Sequence, residues 1–106
     1  MNDLSKKHCV PCETGEGKLE IDKIKEYLKA VPEWMLIGDT IQREFSFKDF
    51  AKALKFINKV GGLAETEGHH PDIFNSWNKV KLTLSTHAAS GLTENDFILA
   101  AKINNI

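Results

Sequence analysis

E-T-E-G-H-H-P-D-I-F-N-S-W-N-K-V-K-L-T-L-S-T-H-A-A-S-G-L-T-E-N-D, residues 65–96, contains the end of one element, a hairpin and the start of another. Gly68 is a helix stop signal. After Pro71, Ile73 to Trp77 reads as a strand and Asn78-Lys79 as a tight turn. Val80, Leu82 and Leu84 then alternate with Lys81, Thr83 and Ser85, the period of a half-buried strand. Leu92 and Phe97 flank a T-E-N-D cap, which opens a helix through Phe97, Ala100, Ala101 and Ile103.

Upstream of this stretch lies the clearest helix. Ser46 and Asp49 form an S-x-x-D cap, with Phe45 placed to pack on Phe50 as a staple. Phe50, Ala53, Leu54, Ile57, Val60, Gly61 and Ala64 make an apolar stripe at helical spacing. Gly61-Gly62 interrupts it, so the helix either bends there or meets another helix closely. Further back, Trp34 to Ile37 and Thr40 to Phe47 flank a Gly38-Asp39 turn as a first hairpin. Arg43 shares the inward parity of Ile41, Phe45 and Phe47, which predicts a position near a sheet end or a carboxylate partner. Ile21, Ile24, Leu28 and Val31 give another helical stripe, ended by Pro32. The order is helix, two strands, helix, two strands, helix. It predicts an α+β, two-layer fold: a four-stranded antiparallel sheet with three helices packed on one face.

With 106 residues, 42% of them apolar and 27% charged, the chain suits one globular domain. Residues 1–18 read as a flexible polar tail and residues 19–106 as the domain. The start, M-N-D-L-S-K-K, has no apolar run, which predicts no secretory leader, no membrane association and a cytoplasmic location. Fourteen basic against fifteen acidic residues, with Arg43 the single arginine, argue against a nucleic-acid groove. Cys9 and Cys12 have the spacing of half a zinc site, but no second pair follows, so they read as two free thiols.

His69 and His70 follow a helix end and His87 follows a strand, all loop positions on a rigid scaffold. Imidazole titrates near neutral pH, so three brought together suit proton transfer or metal binding. Pro71 restrains His70 to extended backbone and points the adjacent rings different ways. Asp96 falls in a first helical turn, where capping alone explains a carboxylate. Glu65, by local pattern, is an ordinary helix-face acid.

Together, Glu65, His69, His70, Pro71, Trp77, His87 and Asp96 form E-x3-H-H-P-x5-aromatic-x9-H-x8-D. This resembles the signature of the pterin-4a-carbinolamine dehydratases. The likeness extends through F-S-F-K-D-F (45–50), N-K-V (78–80), L-S-T-H (84–87) and G-L-T (91–93), covering the chain from about Leu19 onward. The resemblance implies dehydration of a 4a-hydroxytetrahydropterin to the quinonoid dihydropterin, in tetrahydrobiopterin recycling beside an aromatic amino-acid hydroxylase. It implies His69, His70 and His87 as catalytic residues, with no metal and no cofactor. Glu65, Gly68, Pro71, Trp77, Ser85, Thr86 and Asp96 are the implied substrate-binding residues. A homodimer or homotetramer, with the second helix at a bundle interface, is implied as well. Two departures stand out: Gly61-Gly62, where many relatives carry larger residues, and Asn95, where animal members carry arginine. A protein-binding role as the dimerisation cofactor of a transcription factor is the alternative that the family also implies. A histidine-ligated metal hydrolase is a third reading, for which no water-activating carboxylate is evident beside the histidines.

Overall fold

The computed structural model describes residues 4–9 and 17–106. Their elements are α1 (Ile21–Leu28), β1 (Met35–Ile37), β2 (Thr40–Ser46), α2 (Phe50–Glu67), β3 (Asp72–Ser76), β4 (Lys79–Leu84) and α3 (Glu94–Asn104). Short 3-10 turns stand at Leu4–Lys6 and His87–Ala89. The strands form one four-stranded antiparallel sheet in the order β1-β2-β4-β3. Three helices cover one face of it, as the period switches in the sequence predicted.

The core lies between the sheet and the helices. Ile41 pairs with Leu84 and Phe45 with Val80, while Leu82 faces Arg43 on one side and Ile73 on the other. Val80, Leu82 and Leu84 are fully buried, as are Phe97 and Leu99 from α3. α3 is apolar around most of its circumference, with Phe97 to Ala100 consecutively buried. It is therefore the central helix of the domain.

Several local expectations shift. α1 ends at Leu28, and Val31 is buried in the following turn because the backbone tightens to i→i+3 bonds from Lys29 onward. α2 is capped by Asp49 itself, whose Oδ1 accepts from Lys52 N at 2.9 Å, so the helix starts one turn later than an N-cap at Ser46. Phe45 and Phe47 pack on Phe56, with ring centroids 4.6 Å and 5.0 Å away, and leave Phe50 exposed. Leu54 is exposed with it, so the buried stripe is Ala53, Val60 and Ala64 flanked by half-buried Phe56, Ile57 and Leu63. Among the described residues, neither Gly61 nor Gly62 would bring an added Cβ within 4 Å of a neighbour, so no close helix contact there requires them.

Arg43 stands in the middle of β2, not at a sheet end, and pairs with no carboxylate among the described residues. Its guanidinium lies 4.3 Å from the Phe45 ring centroid, and Nη1 donates to Asn104 Oδ1 at 2.6 Å. A neutral amide and an aromatic face thus satisfy a cation that parity sends inward. Residues 4–9, expected within the polar tail, lie along α3 with Leu4 buried in the core. Cys12 lies outside the described residues.

Candidate active site

α2 must stop for the histidines to leave it. Gly68 supplies the stop with a left-handed backbone, φ 66°, and its amide bonds back into the last turn. His69 N–H then donates to Ala64 O at 3.2 Å, fixing the histidine's backbone to the helix end. Pro71 follows His70, and β3 begins at Asp72.

α3 begins 25 positions after His69, where Thr93 is the N-cap and Glu94 the first helical residue. Asp96, fully buried, uses both oxygens. Oδ2 accepts from Thr93 N at 2.9 Å, which caps the helix, and from Thr86 Oγ1 at 2.9 Å. Oδ1 lies 2.6 Å from His69 Nε2. Because Thr86 gives its proton to Asp96, the 2.8 Å contact between Thr86 and Thr93 hydroxyls runs with Thr93 as donor. The chain of bonds is directional from Thr93 to Thr86 to Asp96.

An ionised carboxylate only accepts, so Asp96 selects the tautomer of His69 that is protonated at Nε2. Nδ1 is left with its lone pair. The side chain of His69 is 11% exposed. His70 Nε2 makes a similar contact of 2.7 Å with Glu65 Oε1, but there both side chains are exposed. Two adjacent imidazoles are therefore each oriented by a carboxylate, one in a buried network and one at the surface.

His87 opens the 3-10 turn directly after Thr86. It is exposed, with no side-chain partner among the described residues. Antiparallel pairing of β3 with β4 sets Asp72 opposite Thr83, so Pro71 and half-buried Ser85 lie at the same end of the sheet as these groups. Trp77 does not join them. It is the first residue of the β3–β4 loop, 68% exposed, at the far end of a five-residue strand that spans roughly 17 Å. The loop is Trp77-Asn78, one residue earlier than predicted, closed by the Ser76–Lys79 pair. Trp77 holds a left-handed backbone, φ 50°, and Asn75 Nδ2 donates to its carbonyl at 3.0 Å.

The structure adds two residues to the expected set. Thr93 was legible as a cap, yet its hydroxyl also orients Thr86. Glu67 carried no signal, since its importance arises from contact with residues 8 and 9. Among the described residues no three His, Cys, Asp or Glu side chains converge as a metal-ligating group.

Comparison with known proteins shows the family and the fold. The family model described as Pterin 4 alpha carbinolamine dehydratase matches residues 17–106. A protein of Alkaliphilus metalliredigens, provisionally named a pterin-4-alpha-carbinolamine dehydratase, is 50% identical over 98% of this chain and 96% of its own length. The mitochondrial pterin-4-alpha-carbinolamine dehydratase 2 of Arabidopsis thaliana is 44% identical over 98% of this chain, which spans 59% of that protein. A crystal structure of a transcriptional coactivator/pterin dehydratase from Brucella melitensis superposes with a TM-score of 0.79 at 38% identity, covering 83% of this chain and 96% of the other.

Proposed function

Because the chain belongs to the pterin-4-alpha-carbinolamine dehydratase family, we propose that it dehydrates a 4a-hydroxytetrahydropterin by histidine acid–base catalysis. The observation that carries this reading is the 2.6 Å contact of His69 with a fully buried Asp96. The reaction breaks the C4a–O bond and forms a C4a=N5 double bond. One proton must reach the leaving oxygen and another must leave N5. His69 Nδ1 takes the N5 proton, and Asp96 stabilises the imidazolium that results. His70, oriented by Glu65, protonates the departing hydroxyl, which leaves as water. The two protons balance, and solvent exchange resets both rings. His87, without a side-chain partner among the described residues, faces the pterin and stabilises charge there. Each positioned group of this kind supplies about 100-fold to 10,000-fold.

The test mixes pure protein with a 4a-hydroxytetrahydropterin and follows the ultraviolet decay. A rate no greater than that of free histidine at equal concentration would sink the proposal. Activity that survives dialysis against a strong chelator supports proton chemistry, whereas loss restored by zinc supports a metal hydrolase.

Phe50 and Leu54 are exposed on α2, and Phe74 on β3, which supports assembly of this chain with itself as a homodimer or homotetramer. The same α2 face supports a second, compatible role in binding a helical dimerisation segment. Capture of such a peptide by the purified protein checks that role separately. Physiological coupling to an aromatic amino-acid hydroxylase belongs to the same reading. Among the described residues no helix is long and apolar enough to cross a membrane.

A further inference from the structure

The N-terminal segment takes no part in the proposed reaction, yet its contacts meet the two helix ends that carry His69 and Asp96. Glu67, the last residue of α2, has a side chain only 3% exposed. Its Oε1 accepts from Cys9 N at 2.8 Å, and its Oε2 lies 3.1 Å from His8 Nδ1 and 3.9 Å from Lys102 Nζ. The Cys9 amide above all, then His8 and Lys102, holds this carboxyl below its usual range against the opposing effect of burial. Lys102, from α3, also donates to Ser5 O at 2.8 Å. Cys9 Sγ donates to Asn95 O at 3.6 Å, on the residue preceding Asp96. Leu4, 2% exposed, anchors the start of the segment in the core.

These contacts form a bridge. Glu67 stands two residues before His69, with only the left-handed Gly68 between them. On the other side, Asn95 and Asp96 share the first turn of α3. The bond between His69 and Asp96 has to span both helix ends, and a site of this kind tolerates displacements of only about 0.5 Å. We propose that residues 5–9 are a strap that locks the end of α2 to α3 through Glu67, Lys102 and Asn95, making Glu67 a positioning residue for the His69–Asp96 pair. The inference rests on His69 acting in proton transfer.

Glu67→Ala in the full chain tests it. Steady-state kinetics are paired with the imidazole 15N chemical shifts of His69, assigned by comparison with His69→Asn. The expected result is a fall in kcat of about 10-fold to 100-fold with KM within about 2-fold, since a displacement near 1 Å costs that much. The His69 nitrogens should move toward the values of a mixed-tautomer ring. A purely structural Glu67 would lower the unfolding midpoint and leave those shifts in place. Unmoved His69 shifts in folded Glu67→Ala, with or without a change in kcat, would overturn the strap. If Glu67→Ala does not fold, Glu67→Gln keeps the acceptor for Cys9 and loses the charge facing His8 and Lys102. It should move the same signals by less, and no movement there also overturns the inference. An inactive wild type would defeat the dehydratase reading alone, because the shift comparison needs no turnover.

Discussion

His69 Nε2 and Asp96 Oδ1 are 2.6 Å apart although 27 positions separate the two residues in the chain. One residue leaves a helix and the other starts one. The geometry of this pair is thus set by how two helix termini meet, and the sheet supplies only the hairpin that returns the chain.

Asp96→Asn and Asp96→Ala should separate the two duties of that carboxylate. The amide can retain an oxygen for Thr93 N–H but presents an amide group where His69 needs an acceptor. Its kcat should fall about 100-fold to 10,000-fold, as expected when the wrong tautomer is favoured. Thermal unfolding should change by only about 1 kcal/mol. Asp96→Ala should lose the same activity and in addition about 2–3 kcal/mol, because Thr86 and Thr93 lose a buried acceptor.

Alanine at His69 or at His70 should lower kcat by about 100-fold or more, while His87→Ala should act at least partly through KM. The His69/His70 double variant should cost less than the product of the single losses, because both rings serve one transition state. Steady-state kinetics on variants shown to be folded by circular dichroism check the set. Wild-type kcat in the double variant, with activity abolished by His87→Ala, would assign the essential proton transfer to His87.

Tyr27 Oη donates to Glu94 Oε2 at 2.6 Å, and this bond, with burial, pushes the phenol from 10.0 up to about 12. It also holds the Glu94 carboxyl below its usual 4.5. The phenol's contribution is complete below pH 10.0 and is lost as pH rises through about 12. That of Glu94 is complete above 4.5 and is lost as pH falls through its lowered value. Tyr27→Phe keeps the stacking on Phe97, 5.3 Å between centroids, and removes the bond. Near neutral pH it should cost about 1 kcal/mol. Urea midpoints from about pH 3 to pH 11 should show less loss at both ends than wild type, with Lys7 preserving part of the acid limb.

Trp77→Gly should stabilise the hairpin. A tryptophan at φ 50° carries local strain of about 1–3 kcal/mol, and glycine adopts that backbone freely. The exposed ring gives up little burial in exchange. A rise of about 1 kcal/mol in unfolding free energy, read from chemical denaturation, is the expected result.

Gly61→Ala and Gly62→Ala should each stabilise the chain by about 1 kcal/mol, since both are helical and an added methyl group meets nothing within 4 Å. Chemical denaturation of the two single variants measures it. Loss of stability would mean that self-association uses the bare backbone at this point.

The element order and the sheet were legible because two short-looped hairpins with one apolar face each admit few arrangements. The T-E-N-D cap and Gly68 were legible for the same reason, since both are local chemistry. What failed depended on rotation or distance. The α2 stripe turned away from Phe50 and Leu54 because Phe56 fills the space beside Phe45 and Phe47, a choice that helical period alone does not make. Arg43 found an amide from the last turn of α3, 61 residues on. His69, His70, Glu65 and Asp96 were quoted from the motif and Thr86 from the flanking L-S-T-H, but linear spacing does not say which imidazole meets which carboxylate. Trp77 stands in the same motif and folds to the opposite end of the hairpin. Glu67 escaped notice because its partners come from the segment read as a tail.

A carboxylate that caps a helix and orients a histidine ties two kinds of inheritance together. Any lineage that must keep α3 wound is constrained at position 96 whether or not it still meets a pterin. Selection for folding alone therefore keeps a cap-competent side chain at position 96, and the proposed proton transfer adds the demand that it be a carboxylate.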